Sequence, residues 1–296
     1  MVEQRKDNYN VYKIHDSQLV TLTKTNNIFE IQCLSKCNTI PNIKKLDSKH
    51  YVLLKTGEIK EFNKTNSRNE CENSLRQTFK RLRYLINNNF IGADNELFVT
   101  LTYKDNMTDL NTLYIDFKNF IKRFKYYLRT KTSNSTTIDY ISVVEPQQRG
   151  AWHCHVLFRF NDLKKAYIDN KILADLWGHG FVNIKKTTNI DNVGAYLTAY
   201  LTDLSIDEID HNIAGTVKEI NGKKYIKGAR LSLYPSGANL YRCSRGIKKP
   251  IRQIMSYRKA KTYVSELIPT YVKKLKFKTR DFENSVVYYY YNSKRK

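Results

Sequence analysis

Two segments between residues 145 and 203 decide the fold of this chain. The first, EPQQRGAWHCHVLFRF (residues 145–160), contains two histidines separated by one residue inside an apolar run. The second, VGAYLTAYLTD (residues 193–203), contains two tyrosines that are four residues apart. Each pattern predicts one secondary structure, and each places reactive side chains close together.

The histidine segment predicts a buried strand over residues 152–158. Side chains alternate between the two faces of a strand, so His153 and His155 share a face and Cys154 points to the other. Two imidazoles on one face of a rigid strand supply two corners of a metal site. Two half-buried polar residues at a sheet surface would produce the same pattern.

Glu145 is the candidate third ligand. It follows the apolar run 140–144, a second predicted strand, and the polar residues 146–150 then reverse the chain. If the two strands form a hairpin, Glu145 lies near the histidines. Two imidazoles and one carboxylate suit a divalent ion, Mg or Mn, that must also hold a substrate oxygen. A solvated charge at the end of a strand is the alternative interpretation.

The tyrosine segment predicts a helix over residues 191–204, because its apolar residues recur three and four positions apart. Tyr196 and Tyr200 therefore lie one above the other on a single face. An aromatic stripe facing the core is the alternative. A phenol with a pKa of about 10 is a weak nucleophile at neutral pH. It becomes effective where a metal polarises the group under attack.

Charge and composition restrict the partners of the protein. The chain has 296 residues, with 51 Lys and Arg against 28 Asp and Glu, and a formal charge of +23. Such an excess predicts a polyanionic partner. We find no long apolar segment and no lipidation signal, so we expect no membrane partner. Five scattered cysteines indicate a reducing compartment, and a cytoplasmic location is expected.

The order of predicted elements indicates an α+β protein. Strand 95–103, helix 109–128, two strands, helix 162–177, a short strand and the tyrosine helix predict a mainly antiparallel sheet with helices packed on one face. We predict three parts: a strand-rich extension over residues 1–70, a central domain over residues 71–205, and a basic C-terminal extension over residues 206–296. That last part contains a hairpin signal at Asn221-Gly222 and ends in a tail that we expect to be mobile.

The motifs resemble those of the HUH endonucleases, specifically the two-tyrosine rolling-circle replication initiator (Rep) proteins of plasmids and phages. Residues 98–103 resemble the first motif of that family, residues 153–155 the second, and residues 196–200 the third, in matching order and spacing. Residues 244–250 resemble a tail found in Rep proteins from low-GC Gram-positive hosts. The likeness covers roughly residues 55–250.

The resemblance implies a ferredoxin-like or RRM-like fold and a DNA-nicking activity in the cytoplasm of a bacterial host. Glu145, His153 and His155 would hold Mg or Mn. Tyr196 and Tyr200 would attack a specific single-stranded origin site, leaving a 5′-phosphotyrosine and a free 3′-hydroxyl, and later rejoin the strand. The expected partners are single-stranded DNA and the origin duplex. A separate host helicase and polymerase are implied, because the sequence has no G-x-x-x-x-G-K-[ST] motif.

Further residues are candidates for DNA contact. They are Thr100, Thr102, Lys185, Lys186, Arg242, Arg245, Lys248 and Lys249. The family has a lysine three residues after a catalytic tyrosine, where this chain has Ala199 or Asp203. Lys185 or Lys186 could take its place. Two other functions stay open: a relaxase or transposase of the same superfamily, and a non-catalytic DNA-binding regulator on the same scaffold.

Overall fold

The contacts of the chain divide it into two units. The computed structural model describes residues 3–5, 13–36, 41–47, 49–62, 72–131, 136–188, 190–205, 217–220, 223–226, 229–235, 237–278 and 283–295. Met1–Thr65 and Pro250–Lys296 form a terminal unit, and Asn66–Lys249 form a central unit. The predicted boundaries near residues 70 and 205 stay a prediction, and the contacts group residues 206–249 with the central unit.

The chain begins in the terminal unit, passes through the central unit and returns. The first strands are β1 (Glu3–Arg5), β2 (Leu19–Thr25), β3 (Ile28–Leu34), β4 (Ile43–Lys45), β5 (His50–Leu53) and β6 (Ile59–Glu61). The central unit contains α1 (Glu72–Asn89), β7 (Glu96–Leu101), α2 (Leu110–Thr130), β8 (Ile138–Pro146), β9 (Trp152–Phe160), α3 (Asn170–Trp177), β10 (Val182–Lys186), α4 (Val193–Thr202), β11 (Leu204–Ser205), β12 (Val217–Ile220), β13 (Lys223–Ile226) and β14 (Tyr241–Cys243). The last elements are β15 (Ile251–Ser256), α5 (Tyr257–Thr262), β16 (Tyr271–Lys278) and β17 (Glu283–Asn292).

The terminal unit joins the two ends of the chain in one antiparallel sheet of order β1-β16-β17-β3-β2-β15. The mobile tail expected from sequence is wrong, because β17 pairs with β3 from Val286 opposite Leu34 onwards. Val287 and Tyr291 are buried on one side of this strand. Tyrosine and valine favour strands, and here they find a partner strand far away in sequence.

The central sheet has the order β10-β7-β9-β8-β14, and its neighbouring strands are antiparallel. The α+β class and the mainly antiparallel sheet are therefore confirmed. A second hairpin joins β12 and β13 as predicted, and its turn, residues 221–222, lies outside the described residues. No helix within the described ranges combines the length and the apolar character that crossing a bilayer requires.

Helices pack on both faces of the central sheet, which corrects the expectation that they cover one face. On one face, Phe120 and Phe124 of α2 pack edge-to-face on Phe158 of β9. On the other face, Ile86 of α1 and Leu197 of α4 share a small cavity with sheet residues. An apolar stripe predicts that a helix is packed on something, but not on which face of the sheet it packs.

The tyrosine helix α4 lies close against α1 at Gly194. The Gly194 amide donates to Asn87 Oδ1 at 2.8 Å. A Cβ at this glycine would lie 2.7 Å from the Arg83 carbonyl oxygen. The lack of a side chain at position 194 therefore allows the two helices to approach this closely.

Helix α3 is shorter than the predicted segment 162–177, which is a second correction. Asp162 instead accepts a hydrogen bond from the Thr137 amide at 2.8 Å. The Ala166 amide donates to Asp94 O at 2.9 Å, and the helix begins only after Asp169, whose carboxylate caps it. Tertiary hydrogen bonds to residues 162–166 replace the first turns of the predicted helix.

Candidate metal centre and tyrosine helix

The β8–β9 hairpin brings three candidate ligands onto one face of the central sheet. Glu145 lies directly opposite His153, and Val143 lies opposite His155. Opposed residues of an antiparallel pair share a face, so Glu145 and both histidines point to the same side. One ligand atom from each of the three residues lies within 4.8 Å of the others. The predicted hairpin and the predicted clustering of these residues are both present.

His155 is held from two sides. Its Nε2 atom contacts Glu145 Oε2, and its Nδ1 atom lies 3.0 Å from Thr100 Oγ1. The ring also stacks on Phe98, with 5.4 Å between ring centroids. A partner on the second ring nitrogen fixes the orientation of an imidazole, as metal-binding histidines require.

His153 carries an unsatisfied buried atom. Its Nδ1 atom lies 3.3 Å from Gln147 Nε2. Its Nε2 atom is buried and has no hydrogen-bond partner, unlike every other buried side-chain nitrogen or oxygen in the described part of the chain. Burial lowers the pKa of His153 to about 4, so the ring is neutral at pH 7 and can donate a lone pair to a metal. An orphaned polar atom beside a carboxylate is the position that a bound ion would satisfy.

Glu145 is a buried carboxylate with cationic company. Burial raises its pKa, but His155 and the Arg230 guanidinium more than offset this effect, so the pKa is lowered overall. Glu145 is therefore ionised at neutral pH. The two imidazoles and this carboxylate form a mixed nitrogen and oxygen set that could hold a divalent metal ion.

Arg230 is the residue of this site that the sequence analysis missed. Its Nη1 atom lies 2.7 Å from Glu145 Oε1, and its side chain is buried. It comes from a 3-10 helix, Ala229–Leu233, in a stretch without any chemical motif. No local signal marked it, because its place at Glu145 depends on the path of the chain after β13.

The tyrosine helix packs on the face that carries the histidines. Leu197 and Leu201 of α4 line a small cavity together with His155 and Val143. Tyr196 is 41% exposed, and Tyr200 follows it on the same helix by one turn. The helix is slightly shorter than predicted, Val193–Thr202, and Asn192 caps its start. The role of the two tyrosines as nucleophiles stays a prediction.

The other residues proposed from sequence are spread over the sheet. Thr100 contacts His155, whereas the Thr102 carbonyl accepts a hydrogen bond from the Trp177 indole at 3.1 Å. Lys185 and Lys186 are exposed on β10, which lies one strand beyond Thr100. The cation found at Glu145 is thus Arg230, and neither of these lysines.

The basic residues 242–249 lie towards the opposite end of β8. Arg242 stacks 3.6 Å above the ring of Tyr114, and the Ser244 hydroxyl donates to Asp139 at 2.9 Å. Asp139 and Glu145 are roughly 20 Å apart along the strand, at about 3.3 Å per residue. Residues 245, 248 and 249 are exposed. These candidates for DNA contact therefore form a surface separate from the metal cluster.

Fold and site together define an antiparallel α+β protein with a candidate divalent-metal centre beside a tyrosine-bearing helix. Residues 96–205 match the model of a family described as "Replication-associated protein", of the ORF2 type. The matched residues contain Glu145, both histidines and α4, and the match supports a replication initiator of the Rep type. No curated protein and no solved structure matches the chain significantly.

Proposed function

We propose that this protein initiates rolling-circle replication as a metal-dependent, sequence-specific endonuclease and strand transferase on single-stranded DNA. One observation carries the proposal: the unpartnered Nε2 atom of His153 lies with Glu145 and His155 on the face against which α4 packs. The match to a replication-associated family directs this chemistry towards DNA.

Glu145, His153 and His155 would hold the ion, Mg or Mn. When bound, it would polarise the scissile phosphate and stabilise the charge that develops there. A tyrosine of α4 supplies the nucleophile. Its phenol oxygen bonds to phosphorus as the bond to the 3′-oxygen breaks. The phenol proton leaves to solvent, and the 3′-oxygen leaves as a hydroxyl. The products are a 5′-phosphotyrosine and a 3′-end that a polymerase can extend.

The second tyrosine allows the reaction to end without release of the DNA. After one round of synthesis it would cleave the regenerated origin, and the new 3′-hydroxyl would attack the first phosphotyrosine. Each step exchanges one phosphodiester for another, so no energy source is needed. The strand is thereby closed into a circle.

The DNA would be held by positive charge outside the cluster. Single-stranded DNA and the origin duplex are the proposed partners, since the formal charge of +23 favours polyanions. A separate host helicase would open the duplex and a host polymerase would extend the 3′-end. Thr100 and Thr102 lie near the site, and the proposed phosphate contacts are the exposed residues Lys185, Lys186, Arg242, Arg245, Lys248 and Lys249.

Covalent capture tests the proposal. Single-stranded oligonucleotides that tile the replicon encoding this chain are incubated with the protein and Mn, and SDS-resistant adducts are collected and sequenced. We expect one captured site in the wild type. We expect no adduct in His153→Ala/His155→Ala or in Tyr196→Phe/Tyr200→Phe. His179→Ala is the matched control, because His179 lies outside the cluster, 3.6 Å from Asp116.

A non-catalytic DNA-binding regulator is the second candidate function. Ala199 and Asp203 favour it, since they stand where the resembled family has a lysine. Specific origin binding without any adduct would support this function and contradict the first. A relaxase or transposase of the same superfamily would also form adducts. The order of the motifs, histidines before tyrosines, argues against it.

A further inference from the structure

Two buried side chains from one short segment join the metal-ligand strand to the tyrosine helix. Arg230 and Tyr234, which we call the clasp, are 6% and 1% exposed. Both reach the end of β8 and the end of α4. These are the two elements that carry Glu145 and the tyrosines.

Arg230 makes three polar contacts with these elements. Its Nη1 atom lies 2.7 Å from Glu145 Oε1 and donates to Pro146 O at 3.1 Å. Its Nε atom donates to Asp203 O at 3.3 Å, and Asp203 is the C-cap of α4. One planar guanidinium therefore contacts both a candidate metal ligand and the last turn of the tyrosine helix.

Tyr234 joins the same elements without touching a metal ligand. Its hydroxyl lies 3.2 Å from Val144 O and 3.2 Å from Leu201 O. Its ring packs near Trp152 and Phe79. Tyr234 is therefore an internal control: it joins β8 to α4, but its hydroxyl bonds only to backbone carbonyls of these elements and not to the Glu145 carboxylate.

We propose that Arg230 is a positioning residue that couples metal binding at Glu145 to the placement of the tyrosine helix. Arg230 holds Oε1 of Glu145, which leaves Oε2 directed at His155 and available to an ion. An ion that draws on this carboxylate changes the charge facing the guanidinium. That change reaches Asp203 through the same rigid group. The catalytic consequence rests on the proposed function, whereas the coupling of metal to helix does not.

A simpler role for Arg230 would be to neutralise Glu145 and thereby stabilise the fold. The two roles differ in what Mn does to α4 in the absence of DNA. Hydrogen exchange of the α4 amides measures this directly. We expect Mn to slow their exchange at least about fivefold, the lower end of typical coupling between sites. His153→Ala/His155→Ala should abolish the effect.

The decisive variants are Arg230→Met, Arg230→Lys and Tyr234→Phe, each checked for native circular dichroism. Arg230→Met should bind Mn but lose the Mn-dependent protection of α4. Arg230→Lys should retain part of it, because an ammonium keeps the charge but not the fork of donors. Tyr234→Phe should retain it. Full protection in Arg230→Met, or no protection in the wild type, would overturn the proposal.

Catalysis provides the second readout. At Mn concentrations that saturate the rate, we expect Arg230→Met to form the tyrosyl adduct at least about tenfold more slowly, as misplaced reacting groups do, with partial rescue in Arg230→Lys. A wild-type rate in Arg230→Met would overturn the catalytic part. If the wild type forms no adduct but Mn still protects α4 through Arg230, the proposed function fails and the coupling stands. If Arg230→Met does not fold, Arg230→Lys decides: full protection and a wild-type rate in that variant would also overturn the proposal.

Discussion

Arg230 Nη1 and Glu145 Oε1 lie 2.7 Å apart, and solvent reaches almost nothing of either side chain. A buried ion pair contributes little over an apolar pair, but removal of one partner leaves a buried charge uncompensated. The candidate metal centre therefore depends on a residue that binds no metal. This relationship leads to the first prediction.

Glu145→Ala should lower the free energy of unfolding of the metal-free protein by about 3–5 kcal/mol, because Arg230 then stays buried without its counter-charge. Glu145→Ala/Arg230→Met should recover much of that loss. Urea denaturation of the wild type, both single variants and the double variant in EDTA gives the coupling energy. Additive effects would show that the two residues do not form an ion pair in solution.

The stability of the metal-free protein should fall as the pH drops from about 6.5 towards 4. The unfolded chain binds a proton at His153 near pH 6.5, whereas burial lowers the pKa of the folded His153 to about 4. Between these values unfolding takes up a proton, so acid favours the unfolded state. Urea denaturation at several pH values should show a weaker slope for His153→Gln. Equal slopes in both proteins would contradict the low pKa.

Gly194→Ala should displace the tyrosine helix. The added Cβ would lie 2.7 Å from Arg83 O, and relief requires α4 to move away from α1, at a cost of about 1–3 kcal/mol. We expect a lower melting temperature and slower adduct formation with normal Mn affinity. Ala195→Gly in the same helix is the control, since it weakens the helix without adding a clash. Wild-type stability and rate in Gly194→Ala would show that the packing is looser than described.

Tyr200 should be the first nucleophile. It is next to Leu201, whose carbonyl is within reach of the Tyr234 hydroxyl at the end of β8. Residue 196 lies about 6 Å farther along the helix axis, at about 1.5 Å per residue. We expect Tyr200→Phe to abolish the first adduct and Tyr196→Phe to abolish only the joining step. Adducts of equal yield in both single variants would mean that the tyrosines are interchangeable.

Lys248 and Lys249 should bind phosphates and take no part in the chemistry. Lys248→Ala and Lys249→Ala should each reduce the slope of log K against log salt by about one for an origin duplex. Adduct formation on a short single strand should not change, because these residues lie far along the sheet from Glu145. The measurement is a salt titration of binding beside a single-turnover assay. Loss of the adduct in either variant would place this surface in the nicking reaction.

The sequence by itself determined the local part of the site. The alternation in residues 152–158 places both histidines on one face, and the polar turn at residues 146–150 sets the register that brings Glu145 opposite His153. The helical spacing of α4 keeps Tyr196 and Tyr200 on one face. These features depend on residues that are close in the chain, so periodicity and turn chemistry are sufficient to predict them.

Only the tertiary structure decided which distant segments complete these elements. Arg230 reaches Glu145 from another part of the chain, β17 forms a sheet with β3, and α1 and α4 pack on the histidine face. Each amphipathic element has an apolar side that many partners could cover. The choice between them depends on packing and charge compensation summed over the whole unit, which no local pattern records.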